Sequence, residues 1–271
     1  MKLKALVINL RRSTDRRERM SKYLAQFSDF LDVEFVEAVD GKMLSESEKR
    51  DSLSISARKK REKGLAWSNG EIGCALSHRK CMEMVVGQHI ETALILEDDF
   101  QLCETESFSE VIETAVAFLN HTKGPSIVNL TFRYVRLPRV LFSSSSQRFS
   151  IHRIVGGVSA YAYVISFEGA KKFLKLLTPL QESNDIWEYY SMRGLRCHVI
   201  IPPTTTLVRN IDEGQSILQS ERQIVWNAAT GRKRHSFQSR LEKLWTKRWW
   251  YRNFNRYFRG AVQVDSYFSR F

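Results

Sequence analysis

Short apolar segments alternate with segments of helical periodicity along the first 201 residues. Segments 4–10 and 92–96 are short and apolar, and the first is rich in β-branched residues, as is typical of buried strands. Met20, Tyr23 and Leu24 then recur at the spacing of one helical face. Strands that alternate with helices predict an α/β fold, in which crossover helices cover a sheet.

The same patterns predict the remaining elements. Further strands are expected at 33–38, 126–132, 161–165 and 198–201, and further helices after Ser68, after Ser107 and around Phe173. Segment 45–63 is rich in serine and charge, and it reads as a surface loop with one helical turn.

The net charge of +12 is concentrated at the C-terminal end of the chain. Residues 231–271 carry eleven lysines and arginines against two acids, which leaves about +3 on the rest. This asymmetry predicts a body, residues 1–225, and a basic extension, residues 226–271, that meets an anionic partner.

Three adjacent acidic residues, Glu97, Asp98 and Asp99, directly follow the apolar segment 92–96. In an open α/β sheet, ligands gather at the carboxyl ends of strands. Mn²⁺ or Mg²⁺ prefers oxygen ligands, often shares them with phosphates, and would relieve the repulsion between these carboxylates. If the strand continued, Glu97 and Asp99 would point to one side and form the metal site. A solvated acidic turn is the alternative.

A loop rich in arginine separates the first strand from the first helix. It contains Asn9, Leu10, Arg11, Ser13 and Arg16. Backbone N–H groups at a helix start, together with arginines, suit a phosphate. Neither a dinucleotide-binding glycine pattern nor a P-loop is present, and a solvated basic helix start is the alternative.

Two further patterns have both a structural and a functional interpretation. Glu71 and His78 are seven residues apart in a predicted helix and share a face, where they either bind a ligand or brace the helix. Asp185 beside Trp187 is either a helix N-cap or a general base next to an aromatic sugar platform. The four cysteines lack the close spacing of a zinc site, so we expect them to be reduced, buried thiols.

Five segments, taken in order, resemble glycosyltransferase family 25, the lipooligosaccharide biosynthesis glycosyltransferases. They are VINLRRSTDRRERM (7–20), EAVDG (37–41), EIGCALSH (71–78), LILEDD (94–99) and GGVSAYAYVISFEGAKKFL (156–174). The resemblance extends over about residues 4–217 and implies a GT-A-like, Rossmann-type mixed sheet flanked by helices. It also implies a UDP-sugar donor, with Mn²⁺ or Mg²⁺, and inversion at the anomeric carbon.

On this resemblance, a hexose, galactose rather than glucose, passes to a saccharide of a lipid-linked lipooligosaccharide. The site residues are then Asp185 as base, or Asp98 in its place, the donor-binding residues Asn9, Leu10, Arg11, Ser13, Arg16, Asp40, Gly41, Glu71 and His78, the metal ligands Glu97 and Asp99, and the acceptor-binding residues Trp187 and Tyr161. A catalytically silent, membrane-associated scaffold of the same fold is the alternative function.

The basic extension interleaves cations with aromatic residues at helical spacing. This pattern predicts an amphipathic helix that lies on an anionic membrane surface, and packing on the body or nucleic-acid binding are the less favoured alternatives. The residues expected to meet the membrane are Trp245, Arg248, Trp249, Trp250 and Arg252. With no apolar run long enough to span a bilayer and no signal-peptide pattern, we expect a cytoplasmic protein on the inner face of the bacterial inner membrane.

Overall fold

The chain folds into a mixed sheet with helices on both faces. The computed structural model describes residues 2–102, 105–131, 134–202, 205–207, 251, 255 and 259–264. The strands are β1 Leu3–Asn9, β2 Leu31–Glu37, β3 Thr92–Glu97, β4 Phe100–Leu102, β5 Ser126–Asn129, β6 Tyr134–Ser143, β7 Ser150–Gly157, β8 Ala162–Ser166, β9 Arg196–Ile201, β10 Thr205–Leu207 and β11 Val262–Val264. The helices are α1 Thr14–Ala25, α2 Glu46–Ser52, α3 Ile55–Glu62, α4 Asn69–Gly87, α5 Phe108–His121, α6 Phe167–Leu176 and α7 Trp187–Ser191.

The main sheet has the strand order β11-β6-β7-β9-β5-β8-β3-β1-β2. The pairs β1–β2, β1–β3 and β5–β9 are parallel, whereas β8 runs antiparallel to both β3 and β5. The short strands β4 and β10 form a separate antiparallel pair. The α/β sheet predicted from the sequence is confirmed, and the carboxyl ends of β1 and β3 lie side by side.

Successive residues of the central strands alternate between two apolar cores, one on each face of the sheet. Leu6 of β1 packs in the core that α4, α6 and α7 cover, whereas Val7 packs in the core that α1 and α5 cover. Ile95 and Leu96 of β3 divide in the same way. Burial on both faces explains why the sequences of these strands are continuously apolar rather than alternating.

Two predictions from the sequence need correction. Segment 45–63, expected to be a loop, contains α2 and α3, whose N-termini are capped by the hydroxyls of Ser45 and Ser54. The buried residues of these two helices are Lys49 and Ala57, which are too few to give a clear helical period. The hairpin of β6 and β7 has no counterpart in the predicted elements, because Pro138 and register shifts interrupt the alternation along β6.

Candidate active site

A cleft of about 140 Å³ opens where β1 and β3 end. Its walls come from the loop after β1, the loop after β2, the first turns of α4 and the acidic residues after β3. The lining residues are Ile8, Leu10, Arg12, Arg16, Ala38, Val39, Asp40, Gly41, Lys42, Gly70, Cys74, Ser77, His78, Glu97, Asp98 and Asp99. The structure therefore brings together residues from four of the five sequence segments, which are far apart in the chain.

Asp98 holds the acidic turn against the loop after β1. Its Oδ2 accepts a hydrogen bond of 2.7 Å from Asn9 Nδ2, and its Oδ1 pairs with Arg16 at 3.2 Å. Arg19 donates to the Asp98 backbone carbonyl oxygen at 2.9 Å. Burial raises the pKa of Asp98, and the contacts with Asn9 and Arg16 oppose that rise. Because both carboxylate oxygens are engaged, Asp98 fits a positioning role better than the role of base.

Asp99 also lines the cleft, but its carboxylate is less fully hydrogen-bonded than that of Asp98. One carboxylate oxygen, Oδ1, is buried and has no hydrogen-bond partner in the structure. Burial, followed by the charges of Glu97 and Asp98, raises the pKa of Asp99 to about 7. β3 ends at Glu97, and Asp98 and Asp99 form a turn, so the predicted strand alternation does not continue to Asp99. Glu97 and Asp99 nevertheless both line the cleft.

The loop after β2 is held tightly on α4. A Cβ atom added to Gly41 would stand 1.8 Å from the carbonyl oxygen of Asn69, and one added to Gly73 would stand 2.5 Å from that of Val39. The Val39 N–H donates to Ser77 Oγ at 2.9 Å, and Ser77 donates in turn to the Gly73 carbonyl at 2.7 Å. Glycine is thus required on both sides of this contact.

Arg12 and Arg16 also line the cleft, and each is paired with one of its carboxylates. Arg12 makes an ion pair with Asp40, whose other oxygen accepts a hydrogen bond of 3.1 Å from the Lys42 backbone. The lining has four carboxylates and three cationic side chains: Asp40, Glu97, Asp98 and Asp99, and Arg12, Arg16 and Lys42. With all of these groups ionised, the lining has one more negative than positive charge, and the raised pKa of Asp99 reduces that difference.

His78 connects α4 to the end of β3 and is fully buried. Its Nδ1 lies 2.8 Å from the hydroxyl of Tyr163, and its Nε2 lies 3.2 Å from Glu97 Oε1. Burial raises the pKa of Tyr163 far above its usual range, so the phenol stays protonated. Cys74, one helical turn before His78, lies half-buried in the same wall and contacts Asn184 Oδ1 at 3.6 Å.

Several predicted site residues lie away from the cleft lining. Arg11 is exposed outside it, and Ser13 is the N-cap residue that precedes α1, where its carbonyl oxygen accepts a hydrogen bond from Asn9 Nδ2. Glu71 forms a capping box with Ser68 at the start of α4, which is a structural role. Asp185 is half-buried and accepts a hydrogen bond of 2.6 Å from Ser183 Oγ, next to the residue that contacts Cys74.

The two aromatic residues expected at an acceptor site are buried in the protein core. Trp187 is 1% exposed, packs among Tyr163, Phe173 and Tyr190, and donates from Nε1 to the Ser159 carbonyl. Tyr161 is 3% exposed in the core on the other face of the sheet. Neither ring is available to stack on a sugar, so the prediction of an acceptor platform at these positions was wrong.

Cys74 and Arg12 are the main site residues that the sequence did not single out. Cys81 and Cys197 are buried thiols as expected, but Cys74 is not, and its spacing of four from His78 was the signal for a shared helical face. From the sequence alone, the adjacent Arg11 was as plausible a donor-binding residue as Arg12, and Arg11 was predicted. The structure distinguishes them because Arg12 meets Asp40.

Trp245, Arg248, Trp249, Trp250 and Arg252, expected at a membrane surface, lie outside the residues that the structure describes. Among the described ranges, every helix is too short or too polar to traverse a lipid bilayer.

Comparison with known proteins gives one family. The sequence model of the family described as "Glycosyltransferase family 25 (LPS biosynthesis protein)" matches residues 2–187. Procollagen galactosyltransferase 2 of Mus musculus is 24% identical over an alignment of 263 residues, and the match covers 87% of this chain and 40% of that protein. A glycosyltransferase 25 family member of Drosophila melanogaster is 31% identical over 174 residues, 62% of this chain and 27% of that protein.

Another relative, from Bos taurus, is named "Probable inactive glycosyltransferase 25 family member 3" and is 30% identical over 62% of this chain and 28% of its own length. The chain spans about two fifths or less of the length of these curated relatives. A solved structure titled mannose-1-phosphate geranyltransferase, from Thermus thermophilus, has a TM-score of 0.33 and 10% identity over 73% of each chain, which is too distant to inform the fold.

Proposed function

The chain belongs to glycosyltransferase family 25, and from that premise we propose that it transfers a galactosyl residue from UDP-galactose to a saccharide hydroxyl, with inversion. One observation carries the proposal. The partnerless, buried oxygen of Asp99 lies in a cleft that also holds Glu97 and is rimmed by Arg12 and Arg16. Such a cleft suits a divalent cation bound by Glu97 and Asp99. A diphosphate would then bind between that cation and the two arginines. The names of the galactosyltransferase relatives support galactose as the sugar.

The carboxylates fit Mn²⁺ or Mg²⁺. Oxygen ligands at Glu97 and Asp99 are the type that these hard cations prefer, and the raised pKa of Asp99 reports the unrelieved burial and repulsion that a bound cation would relieve. When bound there, the cation supplies charge neutralisation to the departing diphosphate.

Residues of the chain itself carry the remaining steps of the proposal. Arg16, held by Asp98, and Arg12, held by Asp40, orient the diphosphate by charge-assisted hydrogen bonds. The apolar side chains of Leu10 and Val39 form a surface for the nucleoside. Asn9 holds Asp98 by a hydrogen bond, and Asp98 pairs with Arg16. These two contacts fix the position of Arg16 relative to the carboxylates of the cleft.

Inversion requires a base on the face of the sugar opposite the diphosphate. We assign it to Asp185, because the neighbouring Asn184 contacts Cys74 in the cleft wall. The acceptor oxygen attacks the anomeric carbon, and its proton passes to the Asp185 carboxylate. The bond from that carbon to the phosphate oxygen breaks, and UDP leaves with the bonding electrons.

A panel of donors and acceptors tests this proposal. The full chain is incubated with UDP-galactose or UDP-glucose, Mn²⁺, and either lipooligosaccharide saccharides or a procollagen peptide, and the glycosidic anomer of the product is read by NMR. We expect galactosyl transfer to the saccharide with an inverted anomeric configuration. Glucosyl transfer alone would refute galactose as the sugar, and retention of configuration would refute inversion. Transfer to the peptide alone would refute a saccharide acceptor. The absence of transfer with any pair would favour the silent scaffold.

Membrane residence of the basic extension, residues 226–271, is a separate proposal that rests on sequence. Each cation near an anionic leaflet contributes about 1 kcal/mol. Flotation of the full chain with anionic vesicles at low salt, but not with neutral vesicles, is the expected result. Substitution of Arg248 and Arg252 by Gln should weaken flotation, and substitution of Trp245, Trp249 and Trp250 by Ser should weaken it at all salt concentrations. An intact chain that does not float would contradict the proposal.

A further inference from the structure

Cys74, His78 and Glu97 bring three different types of metal ligand together in the cleft wall. The Cys74 sulfur, a His78 ring nitrogen and a Glu97 carboxylate oxygen all lie within 4.8 Å of one another. Cys74 and His78 are four residues apart on α4 and share its face, and Glu97 ends β3 opposite them. A set of sulfur, imidazole nitrogen and oxygen donors suits Zn²⁺, whereas Mg²⁺ and Mn²⁺ prefer oxygen alone.

We propose that Cys74, His78 and Glu97 form a binding site for Zn²⁺, with a fourth coordination position open to the cleft. Three protein ligands and one open position are typical of zinc sites that bind water or another ligand. With zinc–ligand bonds of about 2.0–2.3 Å, the three ligand atoms must close by roughly 1 Å from the widest separation. Rotation of the half-buried Cys74 side chain provides that movement.

The surroundings of His78 fit this role. Nε2, which faces Glu97, is the nitrogen that would bind the metal, so Nδ1 must carry the proton. Nδ1 lies 2.8 Å from the Tyr163 hydroxyl, whose oxygen can accept that hydrogen bond. A metal-binding histidine is commonly oriented by such a contact through its other nitrogen.

The surroundings of Cys74 add an independent observation. Asn184 is 2% exposed, its Oδ1 lies 3.6 Å from the Cys74 sulfur, and its Nδ2 is buried without a partner. A half-turn of this carboxamide exchanges the two atoms and turns Nδ2 toward the sulfur. The thiol then releases its proton to solvent as the metal binds, and Asn184 donates a hydrogen bond to the thiolate instead of accepting one.

Glu97 belongs both to this site and to the cation site of the proposed transfer reaction. The two sites therefore share one carboxylate, and Zn²⁺ and Mn²⁺ should bind competitively. The zinc site itself does not depend on the transfer reaction, because its ligands and their partners are read from the protein alone.

Titration of the metal-free full chain with Co²⁺, used as a spectroscopic substitute for Zn²⁺, tests the site without donor or acceptor. A cobalt–thiolate complex has a charge-transfer absorption band in the near ultraviolet. We expect this band to appear, to be removed by one equivalent of Zn²⁺, and to be absent in Cys74→Ser. Cys81→Ala, which removes a fully buried thiol from the same helix, should retain the band.

Tyr163→Phe keeps the packing of the ring but removes the contact with His78 Nδ1, and it should weaken Co²⁺ binding by about tenfold to a hundredfold. His78→Gln should weaken binding further. Circular dichroism of each variant verifies folding, and the His78 and Tyr163 variants test the site even if Cys74→Ser does not fold.

No charge-transfer band in the wild-type protein would overturn the proposal. A band that persists in Cys74→Ser, or that has the same affinity in His78→Gln, would also overturn it, because another thiol or a lone thiol would then be the ligand. Persistence of the band when Asp99→Asn abolishes transfer would support the zinc site and distinguish it from the transfer reaction.

Discussion

Asn9 and Asp98 are 89 positions apart in the chain and are joined by a hydrogen bond of 2.7 Å from Nδ2 to Oδ2. Asn9 ends β1 and Asp98 follows β3, and both are almost fully buried. The contact joins the end of β1, which leads to Arg12 and to Arg16 in the first turn of α1, to the turn that carries Asp99. This contact, together with those that Arg16 and Arg19 make with Asp98, therefore sets the spacing between the arginines and the carboxylates of the cleft.

Asn9→Ala should lower the free energy of unfolding by about 1–3 kcal/mol, because it leaves an oxygen of a buried carboxylate without its donor. Urea unfolding followed by fluorescence measures the change. Asn120→Ala, at an exposed position of α5, should change the stability by less than about 0.5 kcal/mol. Equal losses in the two variants would contradict the role assigned to Asn9.

Asp99 should make the stability of the metal-free protein depend on pH. Its pKa is about 7 in the folded protein, against an ordinary value of 3.8. Between these values the folded state keeps a proton that the unfolded chain has lost, so stability falls as pH rises through the interval. Asp99→Asn should be more stable than the wild type above pH 7, and the difference should vanish below the ordinary pKa.

Urea midpoints measured in EDTA across this pH range test the prediction. Asp29→Asn makes the same change of charge at an exposed position and should keep the wild-type dependence. A stability difference between Asp99→Asn and the wild type that is constant with pH would show that Asp99 does not titrate in this way.

Gly41→Ala should separate the loop after β2 from α4. The added Cβ would meet the Asn69 backbone at 1.8 Å, and backbone atoms on both sides leave no flexible group to move aside. We expect a loss of about 1–3 kcal/mol and weaker binding of UDP in calorimetry. Gly87→Ala, in the last turn of the same helix, has nothing within 4 Å and should be neutral or stabilising by about 0.5–1 kcal/mol. Normal UDP binding by Gly41→Ala would contradict this account of the cleft.

Trp187→Ala should destabilise the fold by about 3–5 kcal/mol, as expected for a large ring in a packed core. Differential scanning calorimetry measures this loss. If Trp187 were instead an acceptor platform, the variant would retain its stability and show only a higher KM for the acceptor.

The order of strands and helices could be predicted because β1 and β3 are buried on both faces and read as continuous apolar segments. The acidic cluster could be placed at a strand end for the same reason. The hairpin of β6 and β7 could not be predicted from the sequence. Much of β6 is exposed and its pairing with β7 shifts in register, so the alternation of apolar and polar residues that identifies a strand is lost.

The roles within the site were harder to predict than its location. Sequence spacing gave Glu97, Asp98 and Asp99 as one cluster, but only the fold shows that Asn9 and Arg16 engage Asp98 while Asp99 keeps a partnerless oxygen. The sequence around Trp187 is the same whether the indole ring is exposed to solvent or buried in the core, so sequence alone does not distinguish the two. Burial is a property of the packed chain, so Trp187 was misplaced.

In the proposed function, Glu97 and Asp99 hold a divalent cation for transfer from a UDP-sugar. This cation requirement is measured as UDP release from UDP-galactose with acceptor, in Mn²⁺ and in EDTA, for the wild type and Asp99→Asn. We expect release by the wild type in Mn²⁺, its loss in EDTA with recovery on added Mn²⁺, and little release by Asp99→Asn under either condition. Undiminished release by Asp99→Asn, or by the wild type in EDTA, would contradict it.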